Sequence, residues 1–185
     1  MLAVELEKLE RGPLESAELI RSQLAALRTR TVDISDDLRR TAHQLHPAMV
    51  EHLGLPASLR SLCNDFSKQE DIHVVFRQRH LDGSIPAEIA LCLYRVAQEA
   101  LRNVVQHSGA RRATVSLVLA KDRVLLSISD TGVGFDREVI RGKRGLGIIS
   151  MEERVRLVVG ELTIRSKPGD GVRVVVDVPL PEAGS

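Results

Sequence analysis

The chain has 185 residues and a formal net charge of +1, and 43% of its residues are hydrophobic while only 2% are aromatic. That length suits one ordinary domain with an appendage, and the composition suits a core built from aliphatic side chains. The balanced charge argues against nucleic acid or a membrane surface as a partner, and no apolar run approaches the roughly 18 residues that span a bilayer.

A helical hairpin with two unequal arms is predicted over residues 1–50. From Ile20 to Leu45, apolar residues and threonines recur alternately four and three apart, which is the heptad pattern of a coiled coil. This arm would be roughly 45 Å long, and the arm before Arg11-Gly12-Pro13 about a third of that. Because a long apolar seam needs cover along its whole length, we expect the first helix to have been shortened at Met1. A complete chain whose long helix is covered by a second chain is the alternative.

Residues 51–185 are predicted to form a second domain. Apolar periodicity predicts helices over 55–70, 86–107 and 146–159, and alternation predicts strands over 72–79, 112–120, 123–130, 161–167 and 171–178. Residues 131–144 are rich in glycine and charge, so they are predicted to form a loop. Helices combined with mostly adjacent antiparallel strands imply an α+β fold, a two-layer sandwich.

Polar residues interrupt the helix predicted over 86–107. Glu99 and Asn103 are four residues apart and therefore share one helix face. Asparagine is a poor residue for a helix interior, and a carboxylate with an amide oxygen can supply the few protein ligands that Mg²⁺ takes. His107, one turn further, can reach a phosphate or hold the helix end. The alternative is a solvated polar face with a histidine that favours the helix dipole.

An aspartate followed by two glycines ends the strand predicted over 123–130. Asp130 precedes Thr131-Gly132-Val133-Gly134, and glycines let a backbone turn sharply and approach a ligand closely. A buried aspartate can accept a hydrogen bond from the adenine amino group, at a position where guanine presents a carbonyl. Ordinary Asp-x-Gly turn chemistry is the alternative.

A third motif, Gly145-Leu146-Gly147, opens the helix predicted over 146–159. Backbone amides at a helix N-terminus bind phosphate with help from the helix dipole. Arg144, just before the motif, can add positive charge there or belong to a solvated basic loop. The chain contains neither a Walker-type G-x-x-x-x-G-K-[ST] nor a full G-x-G-x-x-G, so these two common glycine-rich nucleotide motifs are excluded.

In this order, the three motifs resemble the N, G1 and G2 boxes of the GHKL ATPase/kinase superfamily, and in particular the ATP-binding domain of two-component sensor histidine kinases. The resemblance covers roughly residues 55–181. Upstream, Leu45-His46-Pro47 and Leu53-Gly54-Leu55 resemble the end of the dimerisation domain in the subfamily of nitrate and lipid-fluidity sensors. The resemblance to sensor histidine kinases implies a Bergerat-type sandwich after a coiled-coil hairpin, with ATP and Mg²⁺ as cofactors. By this resemblance, Glu99 and Asn103 are the catalytic residues and position Mg²⁺. The ATP-binding residues are Asn103, His107, Asp130, Gly132, Gly134, Arg144, Gly145, Leu146 and Gly147.

The same resemblance implies a homodimer, formed through the hairpin, that transfers the γ-phosphoryl group of ATP to a histidine. A response regulator protein would then take that group. No histidine precedes His43, and His43 and His46 are followed by Gln and Pro rather than by an acidic residue. We therefore expect the acceptor histidine to be missing from this chain. The last glycine box reads Gly169-Asp-Gly171-Val172, without the threonine whose hydroxyl can assist adenine binding.

Two other functions fit parts of the sequence. A serine kinase of the anti-sigma-factor type would use the same ATP fold, although the long heptad helix argues against it. A coiled-coil module with a degenerate nucleotide pocket would keep the helix and lose the chemistry. Cys63 and Cys92 lack metal-site spacing, so we expect both to be reduced, buried thiols. We also expect the chain to be cytoplasmic and to make no membrane contact, although the parent protein can be membrane-anchored.

Overall fold

The computed structural model describes residues 48–79, 84–120, 122–136 and 146–181. All of them lie in one of the two compact units of the chain, Pro47–Ser185. The predicted hairpin over residues 1–50 lies almost wholly outside the described residues, so the hairpin and its boundary with the following domain stay predictions.

The described elements follow the predicted order. They are α1 (Ala48–Gln69), β1 (His73–Arg79), α2 (Ala87–Asn103), β2 (Arg112–Leu119), β3 (Arg123–Asp130), α3 (Leu146–Leu157), β4 (Glu161–Ser166) and β5 (Val172–Pro179). Within this part of the chain, no helix is both long enough and apolar enough to cross a bilayer.

The five strands form one mixed sheet in the order β1-β2-β3-β5-β4. Strands β2 and β3 are antiparallel, as are β3 and β5, and β5 and β4. Strand β1 runs parallel to β2 because helix α2 forms the crossover between them. The predicted two-layer α+β sandwich is confirmed.

The core lies between the helices and one face of the sheet. Every second residue of β2 and β3 is buried, including Val115 and Leu126, and α2 contributes Leu93 and Leu101. The core is aliphatic, as the composition predicted. Cys63 and Cys92 are free and buried, and burial raises the pKa of these thiols to about 12 and about 11 respectively. Both thiols are therefore protonated at neutral pH.

Helix α1 has a kink that the sequence analysis did not predict. Gly54 has a φ of 76°, which divides the element into two helical segments. The hydroxyl of Ser58 donates to the carbonyl oxygens of Gly54 at 2.9 Å and Met49 at 3.1 Å, so one buried side chain joins the two segments.

The end of helix α2 also differs from the prediction of regular helix to His107. The α-helix ends at Asn103 and continues as a π-helix over Val104–Ser108, after which Gly109 turns the chain with a φ of 62°. The buried Ser108 hydroxyl donates to the Val104 carbonyl oxygen at 2.7 Å and accepts from the Ala110 amide at 3.0 Å. Short π-helical turns of this kind are frequent at functional sites.

Candidate functional site

A cavity of about 320 Å³ brings the predicted motifs together. It lies between helices α2 and α3 and the ends of strands β3, β4 and β5. Its lining includes Asn103 and His107 from the first motif, Asp130 and Gly134 from the second and Gly147 from the third. Motifs that are spread over about a quarter of the chain therefore converge on one site.

Most of the remaining cavity wall is apolar and, apart from Val172, was not singled out in the sequence. It consists of Ala100, Val104, Ile128, Phe135, Ile148, Met151, Ile164, Val172 and Val174, together with Ser108. An apolar slot with a few polar groups is the usual form of a site for a small organic ligand. Alternation showed that several of these side chains are buried, but it did not show which of them open onto a cavity.

Asp130 lies at the floor of this slot and is only 7% exposed. Its Oδ1 atom accepts a hydrogen bond from the Gly132 amide at 2.8 Å, and the Val172 amide also bonds to the carboxyl group. Burial nevertheless raises its pKa above the ordinary value, since desolvation outweighs these two bonds. A carboxylate offers about four acceptor positions, so Asp130 can still accept a hydrogen bond from a ligand.

Gly132 packs against the π-helix and does not line the cavity. A Cβ atom at this position would overlap the backbone and Cβ of Ser108. The next residue, Val133, donates its amide to the Ser108 carbonyl oxygen at 2.9 Å. The absence of a side chain at Gly132 therefore lets the loop after β3 lie directly on the end of the π-helix that follows α2.

Gly134 both lines the cavity and closes the loop against the β4–β5 turn. Its φ is 60°, and a side chain there would overlap the Lys167 carbonyl oxygen. On the same loop, the Phe135 amide donates to the Ser166 hydroxyl at 2.8 Å, and that hydroxyl donates to the Gly171 carbonyl oxygen at 2.9 Å. Ser166, which sequence reasoning missed, therefore ties the loop after β3 to the turn that carries the last glycine box.

The first and third motifs touch at Glu99 and Gly147. A Cβ atom on Gly147 would overlap the Glu99 carboxylate, so that carboxylate lies against the start of helix α3. Its Oε2 atom accepts a charge-assisted hydrogen bond from Arg102 at 2.7 Å. The first turn of a helix carries unsatisfied amides and a partial positive charge, which suits both this carboxylate and the phosphates of a ligand.

The other predicted residues occupy three kinds of position. Asn103 is half-buried and His107 is exposed, and both line the cavity. Leu146 opens helix α3 with a side chain that is 87% exposed and lies outside the cavity wall. Arg144 and Gly145 lie outside the described residues.

No group of three or more His, Cys, Asp and Glu side chains within the described ranges is arranged to hold a metal ion. A magnesium ion that relies on phosphates and water needs only one or two protein oxygens. Asn103 lines the cavity, and Glu99, one helical turn before it, lies against Gly147 of the cavity wall, so these two residues fit that requirement.

Comparison with known proteins identifies the family. Residues 88–182 match the model of the histidine kinase-, DNA gyrase B- and HSP90-like ATPases. The chain belongs to this ATPase family. The matched segment includes the Glu99, Asp130 and Gly147 motifs, so membership confirms the Bergerat-type resemblance and an ATP-binding domain.

The relatives of this ATPase domain include sensor histidine kinases. The chain is 36% identical over 145 residues to the oxygen sensor histidine kinase NreB of Staphylococcus carnosus, covering 78% of this chain and 42% of NreB. It is 37% identical over 132 residues to the sensor histidine kinase MctS of Rhizobium johnstonii, covering 70% of this chain and 29% of MctS. The chain therefore spans less than half the length of either relative.

The ATP-binding domain of PrrB from Mycobacterium tuberculosis has a similar fold. It superposes with a TM-score of 0.51 at 24% identity, over 68% of this chain and 93% of the PrrB domain.

Proposed function

We propose that this chain is the ATP-binding catalytic part of a two-component sensor histidine kinase. The observation that carries the proposal is the convergence of Asp130, Asn103 and Gly147 on one largely apolar cavity within an ATPase-family domain. Two relatives that are more than 35% identical to this chain are sensor histidine kinases, which supports the choice of kinase class.

In this proposal the adenine base enters the apolar slot and its amino group donates to the Asp130 carboxylate. Ile128 and Met151 are among the apolar side chains of the wall, and they exclude water from that hydrogen bond. Guanine presents a carbonyl at the same position, so binding it would place an acceptor against the Asp130 carboxylate and leave the oxygen that faces the ligand without a donor. Asp130 is therefore the residue that selects adenine.

Glu99 and Asn103 would hold Mg²⁺ beside the phosphates. When bound, that ion supplies positive charge that neutralises the phosphoryl group during transfer. The start of helix α3 adds backbone amides at Gly147, and Arg144 is proposed to add a cation. The Glu99 carboxylate pairs with Arg102 at 2.7 Å and lies against Gly147 of the cavity wall.

The parent protein would be a cytoplasmic or membrane-anchored homodimer that forms through its helical hairpin. It would transfer the γ-phosphoryl group to a histidine and then pass it to a response regulator. Because no histidine of this chain has the sequence context of an acceptor, the chain alone is expected to bind ATP without forming phosphohistidine.

Calorimetry with Mg²⁺-ATP tests the nucleotide site. Asp130→Asn removes the charged acceptor, whereas Asp170→Asn makes the same change on an exposed turn residue outside the cavity wall. We expect binding that is lost in Asp130→Asn and retained in Asp170→Asn. Equal affinity in both variants would reject Asp130 as the adenine ligand, and no binding by the native chain would favour a coiled-coil module with a degenerate pocket.

The two kinase classes differ in the phosphorylated product. When this chain is supplied with ATP and a longer form of the protein that carries the acceptor, a histidine kinase gives an acid-labile product. The alternative, a serine kinase of the anti-sigma-factor type, gives an acid-stable one. Stable phosphohistidine on the purified chain alone would contradict the missing acceptor.

A further inference from the structure

The two faces of the sheet differ in their charge and in whether helices pack on them. The helices pack on one face, and the alternate residues of each strand form the other, which we call the open face. The strand register places Thr114, Ser129, Arg173 and Arg165 in one row across β2, β3, β5 and β4. Thr114 and Ser129 are half-buried beside the two exposed arginines.

Positive charge dominates the open face, although the net charge of the chain is only +1. Among the described residues, five arginines on this face have no ion pair: Arg77, Arg79, Arg112, Arg165 and Arg173. The face also carries two acidic side chains, Asp177, which is paired with Arg123 at 2.8 Å, and Glu161. Most of its positive charge is therefore uncompensated within the part of the chain that the structure describes.

The positive charge is densest where Arg165 on β4 stands directly opposite Arg173 on β5. Side chains that face each other across antiparallel strands have Cβ atoms about 5 Å apart, and like charges in such a pair destabilise the sheet. A groove of about 430 Å³ runs beside this pair and is also lined by Lys167, Ser129 and Ser166. Its acidic residues are the exposed Asp170 and the buried Asp130. An anionic group in the groove would relieve the repulsion between the two arginines.

We propose that the open face, centred on Arg165 and Arg173, is a docking surface for an acidic segment of a protein partner. Paired guanidinium groups bind carboxylates through two parallel hydrogen bonds, which gives direction as well as charge attraction. The small hydroxyl side chains of Ser129 and Thr114 let the backbone of a partner approach the sheet.

The composition of the face favours a protein over other anionic partners. Arginine is enriched and lysine depleted in protein interfaces, and the five unpaired arginines are accompanied by one lysine, Lys167, at the groove. Single-stranded nucleic acid is bound on aromatic stacking platforms, and the strands place no aromatic side chain on this face. Peripheral membrane binding uses exposed apolar anchors, but the apolar side chains here, such as Leu125 and Val175, are half-buried.

The proposed surface and the nucleotide cavity meet at Asp130 and Val172, which line both the groove and the cavity. The cavity opens on the helical face of the sheet, whereas Arg165 and Arg173 project from the other face. The inference rests on the charge of the open face and does not depend on ATP being the ligand.

Fluorescence anisotropy of a labelled oligo-aspartate peptide with the full chain tests the proposal. The test variant is Arg165→Glu/Arg173→Glu, and its matched control, Lys68→Glu/Arg156→Glu, makes the same charge change on exposed helix residues. We expect peptide binding that weakens about tenfold or more in the test variant and stays within about twofold of the native value in the control.

Three outcomes would overturn the proposal: no peptide binding by the native chain, an equal loss in both variants, or tighter binding to competing anionic surfaces. The competing surfaces are phosphatidylglycerol vesicles and duplex DNA, measured at the same ionic strength. Thermal unfolding by circular dichroism checks that each variant folds. If the double glutamate variant does not fold, Arg165→Gln/Arg173→Gln removes the charges without reversing them, and it should weaken peptide binding in the same direction.

Discussion

The carboxylate of Glu99 on helix α2 lies against the Cα atom of Gly147 at the start of helix α3. The two residues are 48 positions apart in the sequence and belong to different motifs. Their contact holds Glu99, the residue proposed to position Mg²⁺, beside the helix end that is proposed to face the phosphates. Gly147 is thus required first for packing, because any side chain there occupies the place of the carboxylate.

Gly147→Ala should lower the free energy of unfolding by about 1–3 kcal/mol, because its Cβ atom displaces the Glu99 carboxylate. In a Glu99→Ala background the same change should be neutral or stabilising by up to about 1 kcal/mol, since alanine is the better helix former. Urea unfolding of the four proteins gives the coupling energy. Equal effects of Gly147→Ala in both backgrounds would show that the contact carries no energy.

The stability of the domain should depend on pH through Asp130. Burial raises the pKa of its carboxyl in the folded state, so between the ordinary and the raised value the native state binds more protons than the unfolded state. This contribution to stability is present at low pH and is lost as pH rises through the raised pKa. Urea unfolding across that range should show the native chain losing stability relative to Asp130→Asn, which does not titrate. A constant difference between the two proteins would contradict the raised pKa.

Val172→Thr should tighten ATP binding by about two- to fivefold, through one additional hydrogen bond near adenine. Val172 lines the cavity, and its amide bonds to the Asp130 carboxyl, so a hydroxyl on this side chain lies close to the proposed adenine site. The control is Val174→Thr, two residues along the same strand face, which should not tighten binding. Calorimetry measures the ATP affinity of both variants. Equal affinities for the native chain and Val172→Thr would show that the missing hydroxyl does not weaken ATP binding.

Val159→Gly should raise the free energy of unfolding by about 1 kcal/mol. Val159 follows helix α3 with a φ of 56°, a left-handed conformation that a β-branched residue adopts only with strain. Its side chain is 81% exposed, so replacing it forfeits little packing. The neighbouring Val158 packs against the core, and Val158→Gly should therefore be destabilising. Denaturation midpoints measure both changes, and a loss of stability in Val159→Gly would mean that its side chain has a role in the fold.

Periodicity predicted the strands well because each of them buries one face. Along β2 and β3 the side chains alternate between the core and the open face, and the sequence records that alternation directly. It could not predict the π-helix at Val104–Ser108, since the pattern of apolar residues continues through it. Ser108, the last residue of this widened turn, accepts a hydrogen bond from the Val133 amide in the loop after β3, a contact between distant residues that a local pattern does not contain.

The sequence by itself determined the order of the elements, the aliphatic core and the family motifs around Asn103, Asp130 and Gly147, because these depend on local periodicity and on residue types at short spacing. Only the tertiary structure decided that Glu99 meets Gly147, that Arg165 stands opposite Arg173, and which apolar side chains open onto the cavity. Those relationships depend on strand register and helix packing. Both are set by the fit of surfaces that are distant in the chain, and no local pattern specifies that fit.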